Sequence, residues 1–414
     1  MISKVKTGRR DGAARADGSP VQVVGASVAG LFTACLLAKR GVPVDVLERA
    51  ERLEPMPRTL IVTNRMRQLL GPLGESCITN EIRQFELFTD GRAASVSLEQ
   101  PDLVIERTSL IRSLADSARN YGANLSFGRR FQKLTSGGKE LTVEYENCRD
   151  GSREERRTNV VVGGDGAASR VARAAGWRPQ ATASLIQAVV PLPSDMAAHT
   201  VRVWFVPQDT PYFYWLIPCN EREGVLGLIA ETGAEARISL ERFLARKEFA
   251  ARRFEGARVP IYSGWVDVEK RLGRGKVFLV GDAAAQVKVT TVGGVVTGLR
   301  GAAGVAESII NGRTGGELRG LRRELDAHLW VRRALHRFTQ PDYSRLVDLL
   351  NAPARRALSR QSRDEALSVL WRLCWSEPRL FLLGLRGLLM RNGTPSVRTA
   401  SPEPAAVAVA TPGD

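Results

Sequence analysis

The chain is poor in the residues from which metal centres and disulfide frameworks are built. Its three histidines, His199, His328 and His336, are too few and too dispersed for a histidine-based metal site. Five cysteines, Cys35, Cys77, Cys148, Cys219 and Cys374, are scattered and odd in number, and no C-x-x-C occurs. That argues against a disulfide scaffold and a zinc site, and points to a reducing, cytoplasmic setting. No apolar run reaches the roughly 20 residues that a bilayer-spanning helix needs. Residues 1–20 lack the apolar core of a secretory signal and are expected to form a disordered leader. Acidic charge is also short, with 44 Asp and Glu against 60 Lys and Arg, a net +16. A basic field attracts phosphates, but the arginines are spread over the whole length and no nucleic-acid module is legible. No nucleic-acid partner is expected.

Apolar residues make up 43% of the chain, and 414 residues suffice for two domains or one with a large insertion. Residues 21–49 read VQVVGASVAGLFTACLLAKRGVPVDVLER. A strand stops at Gly25, a helix covers about 28–39, and a second strand over 42–47 closes on Glu48. In that order a glycine pattern carries meaning: Gly25 permits the tight turn and Gly30 lets the helix approach the strand. Ser27 stands where G-x-G-x-x-G has its middle glycine, a change that alters the site without removing it. The helix end offers free N–H groups to a pyrophosphate, and Glu48 is spaced to bind ribose hydroxyls. An acid there disfavours a 2′-phosphate, so FAD or NAD fits better than NADP.

Further along, residues 64–73 suit a short amphipathic helix and 85–98 a hairpin turning at Asp90-Gly91. A helix is predicted within 105–121, with Arg107 just before it. A cation there opposes the helix dipole, so an anion is expected nearby. Residues 127–148 form another hairpin region, and a strand ends at Gly163-Gly164-Asp165-Gly166 before a helix near Ser169. From 184 to 231 the texture changes to alternating runs, HTVRVWFVPQ, YFYWLIPC and GVLGLIAE, read as antiparallel strands of an inserted sheet. The first pattern resumes at Gly275, with a strand over 276–280, its end at Gly281-Asp282, and a helix over 294–310. The remainder is helical and arginine-rich to about Gly393, and residues 394–414 are a Pro/Ala/Thr/Ser-rich tail expected to be disordered. Between 366 and 390, Trp371, Trp375, Phe381, Leu382, Leu385, Leu388 and Leu389 run among Arg372, Arg379 and Arg386, with Pro378 placed to start a second helix. Such faces either pack on the body and close a pocket or lie in a bilayer interface, so peripheral membrane association stays open beside core burial.

The Gly25–Glu48 unit, Asp165-Gly166 after a strand, and Gly281-Asp282 before a Gly-Gly helix start together resemble the FAD-binding fold of flavin monooxygenases of the para-hydroxybenzoate hydroxylase type. The set is similar also to the geranylgeranyl reductases, which share that fold. Over residues 21–310 the resemblance implies an α/β protein with an α+β insertion: a Rossmann-like FAD-binding domain of the two-segment glutathione-reductase type, an inserted antiparallel-sheet substrate domain, and C-terminal helices. The first segment is expected over 21–183, including hairpin insertions, the sheet over 184–270, the second segment over 271–315 and the helices over 316–393.

The same resemblance implies non-covalent FAD, with Gly25, Ser27 and Gly30 at its pyrophosphate and Glu48 at the adenosine ribose, Arg49 beside it. Arg107 would lie over the diphosphate side, Asp282 on the ribityl chain, and the backbone of Gly293 and Gly294 at the flavin N1/O2 edge. Asp165-Gly166 resembles the motif linked to FAD and transient nicotinamide binding, and Arg58 is placed like the arginine used near the flavin and incoming nicotinamide. NADH or NADPH is then a transient co-substrate. TNRMRQLLGPLG with the hairpin after it looks like the monooxygenases, whereas GDAAAQVKVTTVGGVV and FYWLIP look closer to the reductases' GDAAG…PTTGGG and Y-x-W-x-F-P. The expected activity is NAD(P)H- and oxygen-dependent hydroxylation or epoxidation of a large apolar substrate, such as a prenylated aromatic or other secondary metabolite. Reduction of isoprenoid double bonds is the alternative. No side chain stands out as a catalytic acid or base, which is tolerable where a flavin carries the redox power. Trp204, Phe205, Phe213 and Trp215 are expected to face an apolar substrate pocket.

Overall fold

The structure, a computed structural model, describes residues 18–53, 58–313 and 315–389. The leader up to residue 17 and the tail from 394 lie outside the described residues. Runs of β-branched residues open the first sheet: β1 (Val21–Val24) and β2 (Val44–Leu47) flank α1 (Val28–Ala38) in the expected βαβ order. Helix α1 is apolar nearly all round, and it is buried nearly all round. Next come β3 (Thr59–Val62), α2 (Arg65–Leu70), and the long hairpin β4 (Ile78–Thr89) and β5 (Arg92–Glu106). The hairpin turns at Asp90-Gly91, both with positive φ (41° and 74°), as a tight two-residue connection requires. Helix α3 (Arg107–Asn120) leads to β6 (Asn124–Ser126), the meander β7 (Arg129–Ser136), β8 (Leu141–Asn147) and β9 (Arg153–Thr158), then β10 (Val160–Gly163) and α4 (Arg170–Ala174).

The inserted part supplies β11 (Thr182–Pro191), β12 (Thr200–Trp204), β13 (Tyr214–Pro218), β14 (Glu223–Ala230), α5 (Gly233–Arg246) and β15 (Arg253–Pro260). Then β16 (Glu269–Leu272) and β17 (Gly275–Leu279) return to the first sheet, and α6 (Val295–Asn311) packs on α1. That sheet has the order β16-β17-β10-β1-β2-β6, parallel except for β16. Its central strands are buried on both faces, the pattern of a parallel sheet covered on both sides.

The second sheet has eight strands in the order β15-β11-β14-β13-β12-β4-β5-β3, so it takes β3, β4 and β5 from ahead of the insertion. The joint is the parallel pairing of β12 with β4, from Thr200 opposite Gln84 to Trp204 opposite Phe88. Side chains alternate across this sheet. Tyr214, Leu216, Leu226 and Leu228 pack under α5 with Leu240 and Phe243. Val203, Trp215, Ile217 and Val225 face the other way, clustered with Ile82, Val104, Val287 and Val292. Those helices are α7 (Gly316–Leu335), α8 (Gln340–Asp348), α9 (Ala352–Ser359), α10 (Ala366–Ser376) and α11 (Pro378–Leu389). Pro378 does open the last of them, where its missing N–H costs nothing. Among the described residues no helix is long and apolar enough to cross a membrane.

Candidate active site

Three glycines meet where β1 ends. Gly25 has φ +100°, and a Cβ there would lie 2.6 Å from the Gly164 carbonyl oxygen. A Cβ on Gly30 would lie 2.3 Å from the Gly25 carbonyl oxygen. The turn, the start of α1 and the end of β10 therefore touch backbone to backbone. Ser27 caps α1, its Oγ accepting from Gly30 N at 3.1 Å, and it lines the cavity beyond the turn. Glu48 sits beside the same turn, its carboxylate accepting from Ala26 N at 2.7 Å and Ala50 N at 2.9 Å. Arg49 next to it is exposed and lies off the cavity wall.

On the cavity side of the turn stand Arg58, Arg107 and Asp282. Arg107 is the first residue of α3, whose true cap is Glu106, accepting from Thr108 N at 2.9 Å and Ser109 N at 2.7 Å. Burial lowers the Arg107 guanidinium from its ordinary range, while Asp282 acts in the opposite sense. Arg58 is lowered by burial and by Arg107, and its Nε is buried with no hydrogen-bond partner. Burial raises the Asp282 carboxyl, against the attraction of Arg58 and Arg107. Two cations around one acid, with an orphaned N–H on Arg58, form a place for an anion.

Asp165 departs from expectation. Its carboxylate turns into α4, accepting from Ser169 Oγ, from Arg170 N at 2.7 Å and from Val171 N at 3.1 Å. It braces the first turn of α4, whose cap is Ser169, and its neighbours Gly164 and Gly166 line the cavity instead. Gly293 and Gly294 do line it, with Gly294 at the N-terminus of α6. The loop before them is folded back by Lys288 N donating to Gly293 O at 3.1 Å. It holds Val292 at φ +50°, a strained setting for a β-branched residue of the kind found at ligand sites.

The cavity holds about 590 Å³ and runs from this corner between the second sheet and the C-terminal helices. Phe205, Phe213 and Trp215 line it, as expected. Trp204 does not: alternation along β12 sends it to the opposite face, stacked on Phe88 at 5.6 Å and edge-on to Phe243 under α5. Sequence reasoning missed the polar lining, where His328 and Arg332 of α7, Lys288 of the loop before Gly293 and Arg363 ahead of α10 line the same cavity. Lys288 is ion-paired with Asp364, Arg363 with Asp102, and His328 Nδ1 lies 2.8 Å from Thr290 Oγ1. The partners are far apart along the chain, so no local motif announces them.

A family model described as FAD binding domain matches residues 18–318. The chain belongs to that family. FAD is its cofactor, and the site fits it: backbone brought close by Gly25, Gly30 and Gly164, the unpaired Arg58 Nε, and the start of α6 beside Asp282. This flavoprotein is 30% identical over 321 residues to digeranylgeranylglycerophospholipid reductase 2 of Methanopyrus kandleri, covering 72% of this chain and 76% of that one. It is 25% identical to a 3-(3-hydroxy-phenyl)propionate/3-hydroxycinnamic acid hydroxylase of Mycolicibacterium gilvum, over 82% of this chain and 61% of the relative. A solved structure, a geranylgeranyl bacteriochlorophyll reductase-like protein of Thermoplasma acidophilum, superposes with a TM-score of 0.73 at 17% identity, covering 90% of this chain and 99% of that one. The flavoprotein is thus an FAD-dependent oxidoreductase with reductases and aromatic hydroxylases among its relatives.

Proposed function

We propose that this flavoprotein reduces carbon–carbon double bonds of a long isoprenoid substrate, with NADH or NADPH as transient co-substrate. One observation carries the reading: beyond the flavin corner most of the cavity wall is apolar, with a cluster of aliphatic side chains between sheet and helices. Leu60, Leu87 and Leu98 of the sheet face Leu335, Val369 and Leu373 of the helices, and among the described residues the cavity lining contains one carboxylate, Asp282, at the flavin end. A flexible polyprenyl chain fits such walls through burial alone. Among the described residues the lining offers a phenol no carboxylate beyond the flavin corner, and burial leaves His328 a weak base. Bound FAD supplies the two-electron chemistry. The chain's own part is to hold the substrate, exclude water through α10, and keep cations at the corner where Arg58 and Arg107 stand. The reductase relatives support this order, and the motifs lean both ways, GDAAAQVKVTTVGGVV and FYWLIP toward the reductases and TNRMRQLLGPLG toward the monooxygenases. The second reading, oxygen insertion into a prenylated aromatic, is favoured by the aromatic pair Phe213 and Trp215, 6.1 Å apart on the cavity wall.

Helix α10 also connects the cavity to the surface. Ala366, Val369, Leu370 and Leu373 line the cavity, while Leu367, Trp371 and Trp375 are 47%, 66% and 74% exposed. An apolar outer face beside arginines, on a chain of net charge +16, suits an anionic bilayer surface from which a lipid-soluble substrate enters. The test is incubation of FAD-loaded protein with geranylgeranyl substrates and NAD(P)H, with and without oxygen. Saturated product under anaerobic conditions supports reduction. Product carrying an oxygen atom from O2, formed only in air, overturns it in favour of monooxygenation.

A further inference from the structure

The cations on the cavity wall are accounted for, with one exception. Arg58 and Arg107 stand with Asp282 at the flavin corner, Lys288 is paired with Asp364, and Arg363 with Asp102. Arg332, on α7, is 7% exposed, and among the described residues it has no carboxylate at ion-pairing distance. What holds it is weaker than a counter-ion. Its Nη2 donates to the Pro211 carbonyl oxygen at 2.5 Å and lies 3.3 Å from His336 Nδ1. Its guanidinium lies 3.8 Å from the centre of the Tyr212 ring. Burial lowers Arg332 from the ordinary arginine range, and only the phenols of Tyr212 and Tyr343 act the other way. Glu231, whose charge reaches Tyr212 and His336, is exposed to solvent.

A second group lining the same cavity, on the sheet side, is unmet. Trp215 Nε1 is buried and donates to nothing, although the ring lines the cavity. Indole nitrogen is a donor only, and guanidinium nitrogens are donors only. A buried cation without a counter-ion and a buried donor without an acceptor both carry a penalty that a suitable ligand would remove. A pure hydrocarbon would leave both unmet.

We propose that Arg332 anchors an anionic head group, so that the preferred substrate is an apolar chain ending in a carboxylate or a phosphate. The proposal rests on the reading of this cavity as the substrate pocket. Arg332 is then a specificity-determining residue: the apolar part of the cavity takes the chain, and the guanidinium chooses the head.

The experiment titrates FAD-loaded, full-length protein with farnesol, farnesoic acid and farnesyl phosphate, reading binding from the flavin's visible absorbance and by calorimetry. The chain is constant across the three probes and only the head changes. At least one anion is expected to bind about tenfold to a hundredfold more tightly than farnesol, the range for a hydrogen bond to a charged group. Whether farnesoic acid or farnesyl phosphate binds better tells carboxylate from phosphate. Arg332→Met should bring the anions down to the level of farnesol and leave farnesol unchanged, and Arg332→Lys should keep part of the preference. If Arg332→Met does not fold, judged by FAD content and melting temperature, Arg332→Gln keeps a donor for Pro211 and serves the same test. Equal binding of farnesol and both anions, or a preference that survives loss of the guanidinium, overturns the anchor and leaves the apolar pocket standing. If none of the three probes binds, the pocket reading fails and takes the anchor with it.

Discussion

Lys288 and Asp364 meet in an ion pair whose side chains are 6% and 1% exposed, tying the loop before Gly293-Gly294 to the segment that leads into α10. Thr63 Oγ1 donates to the same carboxylate, so three separate parts of the chain converge on it. Burial alone would raise the Asp364 carboxyl, but the Lys288 charge and these hydrogen bonds outweigh it and hold it below the usual range.

Lys288→Met should therefore destabilise the protein strongly, by about 3–5 kcal/mol, because it strands a buried carboxylate. Adding Asp364→Leu should restore much of that loss, since an apolar pair replaces an ionic one. Denaturant unfolding of both single variants and the double variant measures the coupling. The pH dependence has a definite sign: the folded carboxyl lies below its unfolded value of about 3.9, so its contribution is fully present above that pH and is lost as pH falls from there through the lower, folded value. Equal acid sensitivity in the unmodified protein and the double variant would contradict this assignment.

His328 predicts a second acid effect at higher pH. Burial, assisted by the Lys288 charge, pushes its imidazole down to about 3. A lowered histidine leaves stability intact above about pH 6.5, and stability is lost as pH falls from there toward the folded value. Between pH 7 and 4.5 the loss from this residue should be about 2–3 kcal/mol. His328→Gln should flatten that part of the stability profile, read by urea unfolding at a series of pH values. A profile that keeps its slope would show that other groups carry it.

What the sequence made legible was whatever repeats at short range. The βαβ turn, the hairpin at Asp90-Gly91 and the break at Pro378 each rest on residues within one turn or one strand of one another. Period-two alternation in β12 marks Trp204 and Phe205 as facing opposite ways but does not say which faces the cavity; the packing of α5 decides it. The signal for α5 itself was present and passed over, since Thr232 and Glu235 form a reciprocal capping box. Asp165 shows the converse, a motif residue whose carboxylate is used up by the adjacent helix. Arg332 and His328 look like ordinary positions on an arginine-rich helix until Tyr212 and Thr290 are brought beside them from other parts of the fold.

At the flavin corner, two glycines should behave differently. A Cβ on Gly30 would lie 2.3 Å from a backbone oxygen that cannot move without breaking the turn, so Gly30→Ala should yield little folded, yellow protein. A Cβ on Gly294 would lie 3.1 Å from Asp282 Oδ1 and 3.2 Å from Val287 Cγ2, contacts that small shifts can absorb. Gly294→Ala should fold and bind FAD more weakly, by about 1–3 kcal/mol if Asp282, as proposed, hydrogen-bonds the cofactor and is displaced. Flavin released on denaturation and quenching of flavin fluorescence on titration give the two values. Tight FAD binding by Gly30→Ala would refute the close approach.

The exposed face of α10 and α11 gives the last prediction. Trp371, Trp375, Leu382 and Leu389 are 66%, 74%, 59% and 71% exposed, whereas Leu383 and Gly387 on the inner side of α11 are buried against the body. The bland alternative, that the whole apolar face is core, is thereby met for the inner side only. Trp rings at this exposure beside Arg372, Arg379 and Arg386 suit the boundary between headgroups and acyl chains, and each arginine near an anionic surface adds about 1 kcal/mol at low salt. Full-length protein should sediment with vesicles rich in phosphatidylglycerol at low salt and be largely released at high salt. Trp371→Glu with Trp375→Glu should abolish sedimentation while leaving FAD content and melting temperature unchanged, because both side chains already face water. Protein that stays in the supernatant with anionic vesicles at low salt would sink the membrane reading. A double variant that loses its flavin would instead show that this face is buried against the rest of the chain.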